Sequence, residues 1–80
     1  MTHTIKTWPT FFSLVFEGIK TFEYRINDRN FKVGDVLFIK EYDPIKKQFT
    51  GRSVKRHVTF ILSDDNSGWP LHGWCIMSLR

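Results

Sequence analysis

The sequence predicts a mostly β fold of the α+β class: a small β-barrel or half-barrel of about five strands with one N-terminal helix. Three observations predict it. Runs of β-branched and aromatic residues alternate with turn signals along most of the chain, and a single stretch spaces its apolar residues for a helix. With 80 residues there is room for one domain, spanning 1–80, and for one core. That is too little for a sandwich of two full layers, so one sheet has to curl to hide its own edges.

The elements follow in order. A short strand around Thr4 to Thr7 leads into Trp8-Pro9, where proline suits a first helical turn and holds its predecessor outside helical geometry. The helix is expected to run to Glu17, with Trp8, Phe12, Val15 and Ile19 as its buried stripe, Phe11 beside them, and Gly18 as the left-handed residue that stops it. Thr21 to Ile26 alternates, with Phe22, Tyr24 and Ile26 on one face and Thr21, Glu23 and Arg25 on the other. This predicts a half-buried strand whose outward residues are polar. Asp35 to Tyr42 contains the continuous run Val36-Leu37-Phe38-Ile39, which calls for apolar surroundings on both faces.

Asp43-Pro44 opens a loop or hairpin with Lys46 and Lys47 at its tip, and Thr50-Gly51 closes it. A long strand is expected from Arg52 to Leu62, placing Val54, Val58, Phe60 and Leu62 on one face, exposed in its first half and entering the core in its second. Asp64 to His72 reads as a loop, and Gly73 to Leu79 as a final buried strand.

Twelve Lys and Arg against eight Asp and Glu give a net charge of +4, and the basic side chains concentrate between residues 41 and 62. A moderately positive field favours phosphate-bearing partners and equally fits an ordinary solvated surface. Cys75 is the sole cysteine, so the disulfide framework of a small secreted domain is not expected and the cytoplasm fits best. No stretch approaches the roughly 18 apolar residues of a membrane helix, and Met1 to Trp8 lacks the apolar run of a signal peptide. The large aromatic residues compensate for small size, so a monomer is expected.

The stretch Gly18-Ile19-Lys20-Thr21-Phe22-Glu23-Tyr24-Arg25 is where chemistry concentrates. Lys20 falls in a turn, and Thr21, Glu23 and Arg25 follow at strand period, so an ammonium, a hydroxyl, a carboxylate and a guanidinium converge on one side of the sheet. Such a group suits phosphate and base edges. The same charges also suit an exposed salt-bridge set.

Glycine, any residue, lysine, threonine, then alternating positions ending in arginine resembles the signature of ASCH domains in the PUA-like superfamily. The longer run through Asn27-Asp28-Arg29, Phe31-Lys32-Val33-Gly34-Asp35, Asp43-Pro44 and Phe49-Thr50-Gly51-Arg52 is similar to a small uncharacterised ASCH-like family of bacteria and their phages, a domain of unknown function. The resemblance implies a PUA-like barrel with a helix beside a cleft, a cleft position for Lys20, Glu23 and Arg25, and RNA or a modified nucleotide as partner. Some ASCH members look like small hydrolases in which the lysine assists a threonine in deacetylating acetylated cytidine, or like ribonucleases. This chain carries Glu23 where that threonine is expected, and a carboxylate is poorly suited to the covalent route.

The functional expectation is therefore an RNA- or nucleotide-binding module without cofactor or metal. Alternatives are a hydrolase using Glu23 as base with Lys20 as electrostatic helper, and a phage factor that engages a host protein through its basic hairpin. Candidate binding residues are Lys20, Thr21, Glu23, Arg25, Asn27 and Arg29, with Asn27, Asp28 and Arg29 also suited to a plain turn. Lys46, Lys47, Arg52, Lys55 and Arg56 form either a phosphate-tracking patch or a charged tip that protects a β-edge. Trp69 either stacks on a base or caps the barrel mouth. His3, His57 and His72 have no spacing that pairs them for a metal, and Cys75 reads as a small buried hydrophobe.

Overall fold

A computed structural model describes the whole chain, Met1–Arg80. The elements are β1 (Thr2–Thr7), α1 (Pro9–Phe16), β2 (Phe22–Ile26), β3 (Val36–Asp43), β4 (Gln48–Leu62) and β5 (Trp74–Leu79). They form one five-stranded mixed sheet in the order β1-β3-β4-β5-β2. β1 runs parallel to β3, and the other neighbours pair antiparallel.

The expected closed barrel does not form. β1 and β2 are both edge strands, each paired on one side alone. They are consecutive strands joined by a helix, but β1 lies parallel on β3 and β2 antiparallel on β5, so three strands separate them in the sheet order. A seam is left open where a barrel would have its last ladder.

The core consists of Ile5, Phe12, Val15, Phe31, Leu37, Ile39, Val58, Cys75, Met77 and Leu79. From α1 only Phe12 and Val15 are buried, so the predicted stripe is half as long as expected: Trp8 is 57% exposed and Ile19 68%. Trp8 precedes the helix in extended geometry. At the other end Gly18 adopts φ +78° and the N–H groups of Ile19 and Lys20 both turn back to the Leu14 carbonyl, which swings Ile19 off the stripe. Arg56 caps the same end, donating from its NH2 nitrogen to the carbonyls of Val15 (3.0 Å) and Phe16 (3.4 Å).

The hairpin between β3 and β4 is tighter than the sequence implies. The Asp43 carboxylate accepts from the N–H groups of Ile45 and Lys46, and pairing resumes at once with Asp43 opposite Gln48. β4 therefore starts at Gln48, not Arg52. A bulge opposite Glu41 is absorbed at Gly51, whose φ is +96°. A second irregularity between Val58 and Phe60 breaks the alternation predicted for β4, so Val58 is buried and Phe60 is 52% exposed.

β2 also departs from expectation, and this departure makes the site. Phe22, Tyr24 and Ile26 face solvent, whereas Glu23 is buried and Arg25 half-buried. In register, Glu23 lies opposite Met77 and Arg25 opposite Cys75, so both charged residues sit on the core face of the sheet.

Candidate functional site

The seam between β1 and β2 holds two adjoining compartments that share Lys6. The first encloses about 420 Å³. Its apolar walls are Trp8 and Phe11 from the start of α1 and Phe22 and Tyr24 from β2, and its polar lining is Lys6, Thr7, Lys20 and Glu23. The second encloses about 240 Å³ and brings Lys6, Arg25 and Arg29 together with Thr4, Ile5 and Phe49.

Each charged side chain is placed by local structure. The turn at Gly18 delivers Lys20 to the mouth of the seam, where its Nζ donates to the Phe22 carbonyl at 2.8 Å and reaches Glu23 Oε1 at 3.4 Å. Glu23 Oε2 stands 3.6 Å from Arg25 NH1. Arg25 Nε is buried with no hydrogen-bond partner, an open donor in a place where donors are normally satisfied. Asn27 Oδ1 accepts from the Phe31 N–H at 3.1 Å and fixes the turn after β2. Arg29 then crosses the seam to donate to the Thr4 carbonyl on β1. Lys6 rests its ammonium 4.4 Å over the Tyr42 ring, between the two compartments.

Four cations, Lys6, Lys20, Arg25 and Arg29, thus line the two compartments against the single carboxylate of Glu23. An excess of positive charge beside apolar walls focuses field on a small volume and favours an anion with a flat apolar part.

Of the residues singled out in the sequence, Lys20, Glu23, Arg25 and Arg29 meet at the seam. Asn27 serves the turn and borders a separate small pocket with Asp64 and Asp65. Thr21, Lys46, Lys47, Lys55 and Trp69 line neither seam compartment and are exposed. Arg52 stands over the rings of Phe12 and Phe16 and 3.6 Å from Glu41, whose other oxygen accepts from the Thr50 hydroxyl at 2.6 Å.

Sequence reasoning missed Lys6 and assigned Trp8, Phe11, Phe22 and Tyr24 to the core. The available signal was an alternating lysine two residues before an aromatic-proline helix start. It also missed a buried pair: His3 Nε2 lies 2.8 Å from Asp35 Oδ2. No group of three or more His, Cys, Asp or Glu is placed to hold a metal ion, and no helix is long and apolar enough to cross a membrane.

Fold and site together define a small open-sheet domain with an aromatic and cationic cleft between its edge strands. The chain belongs to the family described as Domain of unknown function (DUF3850), whose model matches residues 2–79. It is also 39% identical over 67 residues to an uncharacterised 12.9 kDa protein in the GpA 3' region of Escherichia phage P2. That match covers 84% of this chain and 58% of the phage protein, so the chain spans little more than half of that relative's length.

Proposed function

We propose that the seam binds a nucleotide, free or as a unit of an RNA strand, with the base between the aromatic walls of the larger compartment and the phosphate among the cations of the smaller. The observation that carries this reading is a pair of adjoining hollows that share Lys6, the larger with four aromatic side chains in its wall and the smaller with Arg25 and Arg29. Its larger half has the volume of an ordinary small-molecule site, and exposed Trp8 and Tyr24 offer ring faces on which a base stacks. The resemblance of the segment from Gly18 to Arg25 to ASCH domains supports the same assignment.

Binding is favoured over turnover. Thr21 stands outside the cleft, and both oxygens of Glu23 face cations, an arrangement for holding a charge in place.

Calorimetric titration with nucleoside 5'-monophosphates and with short single-stranded RNA tests the proposal. Saturable binding is expected, weakened at least about tenfold in a Lys20→Ala, Arg25→Ala double variant, since each charge-assisted hydrogen bond contributes about 1.5–3 kcal/mol. Absence of binding to every member of that panel contradicts it.

A further inference from the structure

We infer that the base read in the larger compartment is guanine, an inference that rests on the nucleotide reading of the seam. It comes from the order of hydrogen-bonding groups along one edge of that compartment. Lys20 Nζ lies 3.4 Å from Glu23 Oε1, and Glu23 Oε2 follows on the same carboxylate. The edge therefore presents the Lys20 donor and then the two Glu23 acceptors, the second of which also faces Arg25.

Each of these groups has capacity left. The ammonium has three donors, of which one goes to the Phe22 carbonyl and one to Glu23. The carboxylate has four lone-pair sites, and its partners are Lys20 at 3.4 Å and Arg25 at 3.6 Å, both long. Glu23 is mostly withdrawn from solvent at 8% exposure, so a base that fails to match leaves acceptors facing acceptors in a site with little water to separate them.

The Watson–Crick edge of guanine reads acceptor, donor, donor: O6, N1–H and N2–H. It complements Lys20 and the two oxygens of Glu23 at all three positions. Uracil reads acceptor, donor, acceptor and sets its last oxygen against the carboxylate. Adenine offers a donor and then an acceptor, and cytosine has two adjacent acceptors, so each brings a lone pair against Glu23 or a donor against Lys20. Hypoxanthine keeps O6 and N1–H and lacks the 2-amino group. The walls add to the same choice, because Trp8 and Tyr24 gain more stacking area from a purine than from a pyrimidine.

The experiment compares GMP, IMP, AMP, CMP and UMP by titration calorimetry against the full chain and against Glu23→Gln. For the unmodified protein GMP is expected to bind about tenfold tighter than IMP, with AMP, CMP and UMP weaker still, the size of discrimination that one matched bidentate pair supplies. Glu23→Gln turns one acceptor into a donor, so the GMP preference is expected to vanish and UMP to gain. If Glu23→Gln does not fold, Lys20→Met serves in its place: it removes the donor for O6 and is expected to narrow the gap between GMP and AMP. Five nucleotides bound with equal affinity overturn the guanine assignment and leave the nucleotide reading standing. A panel in which none binds overturns both.

Discussion

Glu23 Oε2 and Arg25 NH1 stand 3.6 Å apart on the face of β2 that lies opposite Met77 and Cys75. Two charged residues on the core side of a sheet are tolerated here because the strand is an edge and the ladder beyond it is missing, which leaves a route to solvent past their heads. The outward face carries Phe22 and Tyr24, and Tyr24 stacks on Trp74 at 4.9 Å between centroids. An aromatic exterior and a charged interior on one strand is the inverse of ordinary burial, and it places the polar groups where a ligand entering the seam meets them.

The division of the cleft predicts a division of affinity. Arg29→Ala is expected to weaken binding of a nucleoside monophosphate about tenfold and to leave binding of the free nucleoside nearly unchanged, because a charge-assisted contact of about 1.5–3 kcal/mol is lost only where phosphate is present. The phosphate-dependent part should also fall as salt is raised. Equal losses for nucleoside and nucleotide would place the phosphate elsewhere.

How much of this was legible in the sequence depends on separation along the chain. Lys20, Glu23 and Arg25 could be grouped because they lie within one turn and strand, where period-two spacing alone brings side chains together. Which face of β2 is inside could not be read the same way, since alternation defines two faces and says nothing about which one the neighbouring strands cover. Lys6 joins the site across a seam, and His3 meets Asp35 from 32 residues away through the parallel pairing of β1 with β3. Such contacts are set by topology, which local pattern does not encode. Closure of the barrel was overpredicted for the same reason: strand count was visible, and the order that leaves β1 and β2 unpaired was not.

Asp35 gives a prediction about acid stability. The hydrogen bond from His3 is the main cause that holds its carboxyl down at about 2, below the usual 3.8, with the Lys32 N–H and the Met1 amino group adding to it. A carboxyl that is more acidic in the folded state contributes stability that is fully present above 3.8 and is lost as pH falls through about 2. Thermal unfolding should show Asp35→Asn less stable than the parent near pH 6 by about 1–3 kcal/mol, the cost of leaving buried partners unsatisfied. The gap should close as pH approaches 2. A gap independent of pH in that window contradicts this linkage.

Glu41 and Arg52 separate structure from binding. Glu41 is buried and takes the Thr50 hydroxyl, while Arg52 lies over Phe12 and Phe16, so this cluster ties β3 and β4 to the helix. Glu41→Ala should lower stability by about 1–3 kcal/mol in urea unfolding, through a hydroxyl and a guanidinium left without their acceptor. Nucleotide affinity of the folded fraction should stay within about twofold, well under the tenfold that 1.4 kcal/mol represents. A large loss of affinity at full folding would move the binding surface to this side of the sheet.

The most direct test of the central claim is a nitrogen-15 NMR titration of the labelled chain with GMP, followed amide by amide. Shifts are expected at Thr4 to Trp8, at Lys20 to Arg25 and at Arg29, with the hairpin amides of Lys46 and Lys47 and the loop amide of Trp69 unmoved. Shifts confined to the hairpin or to the outward face around Phe60 and Trp74, with the seam silent, would contradict the account.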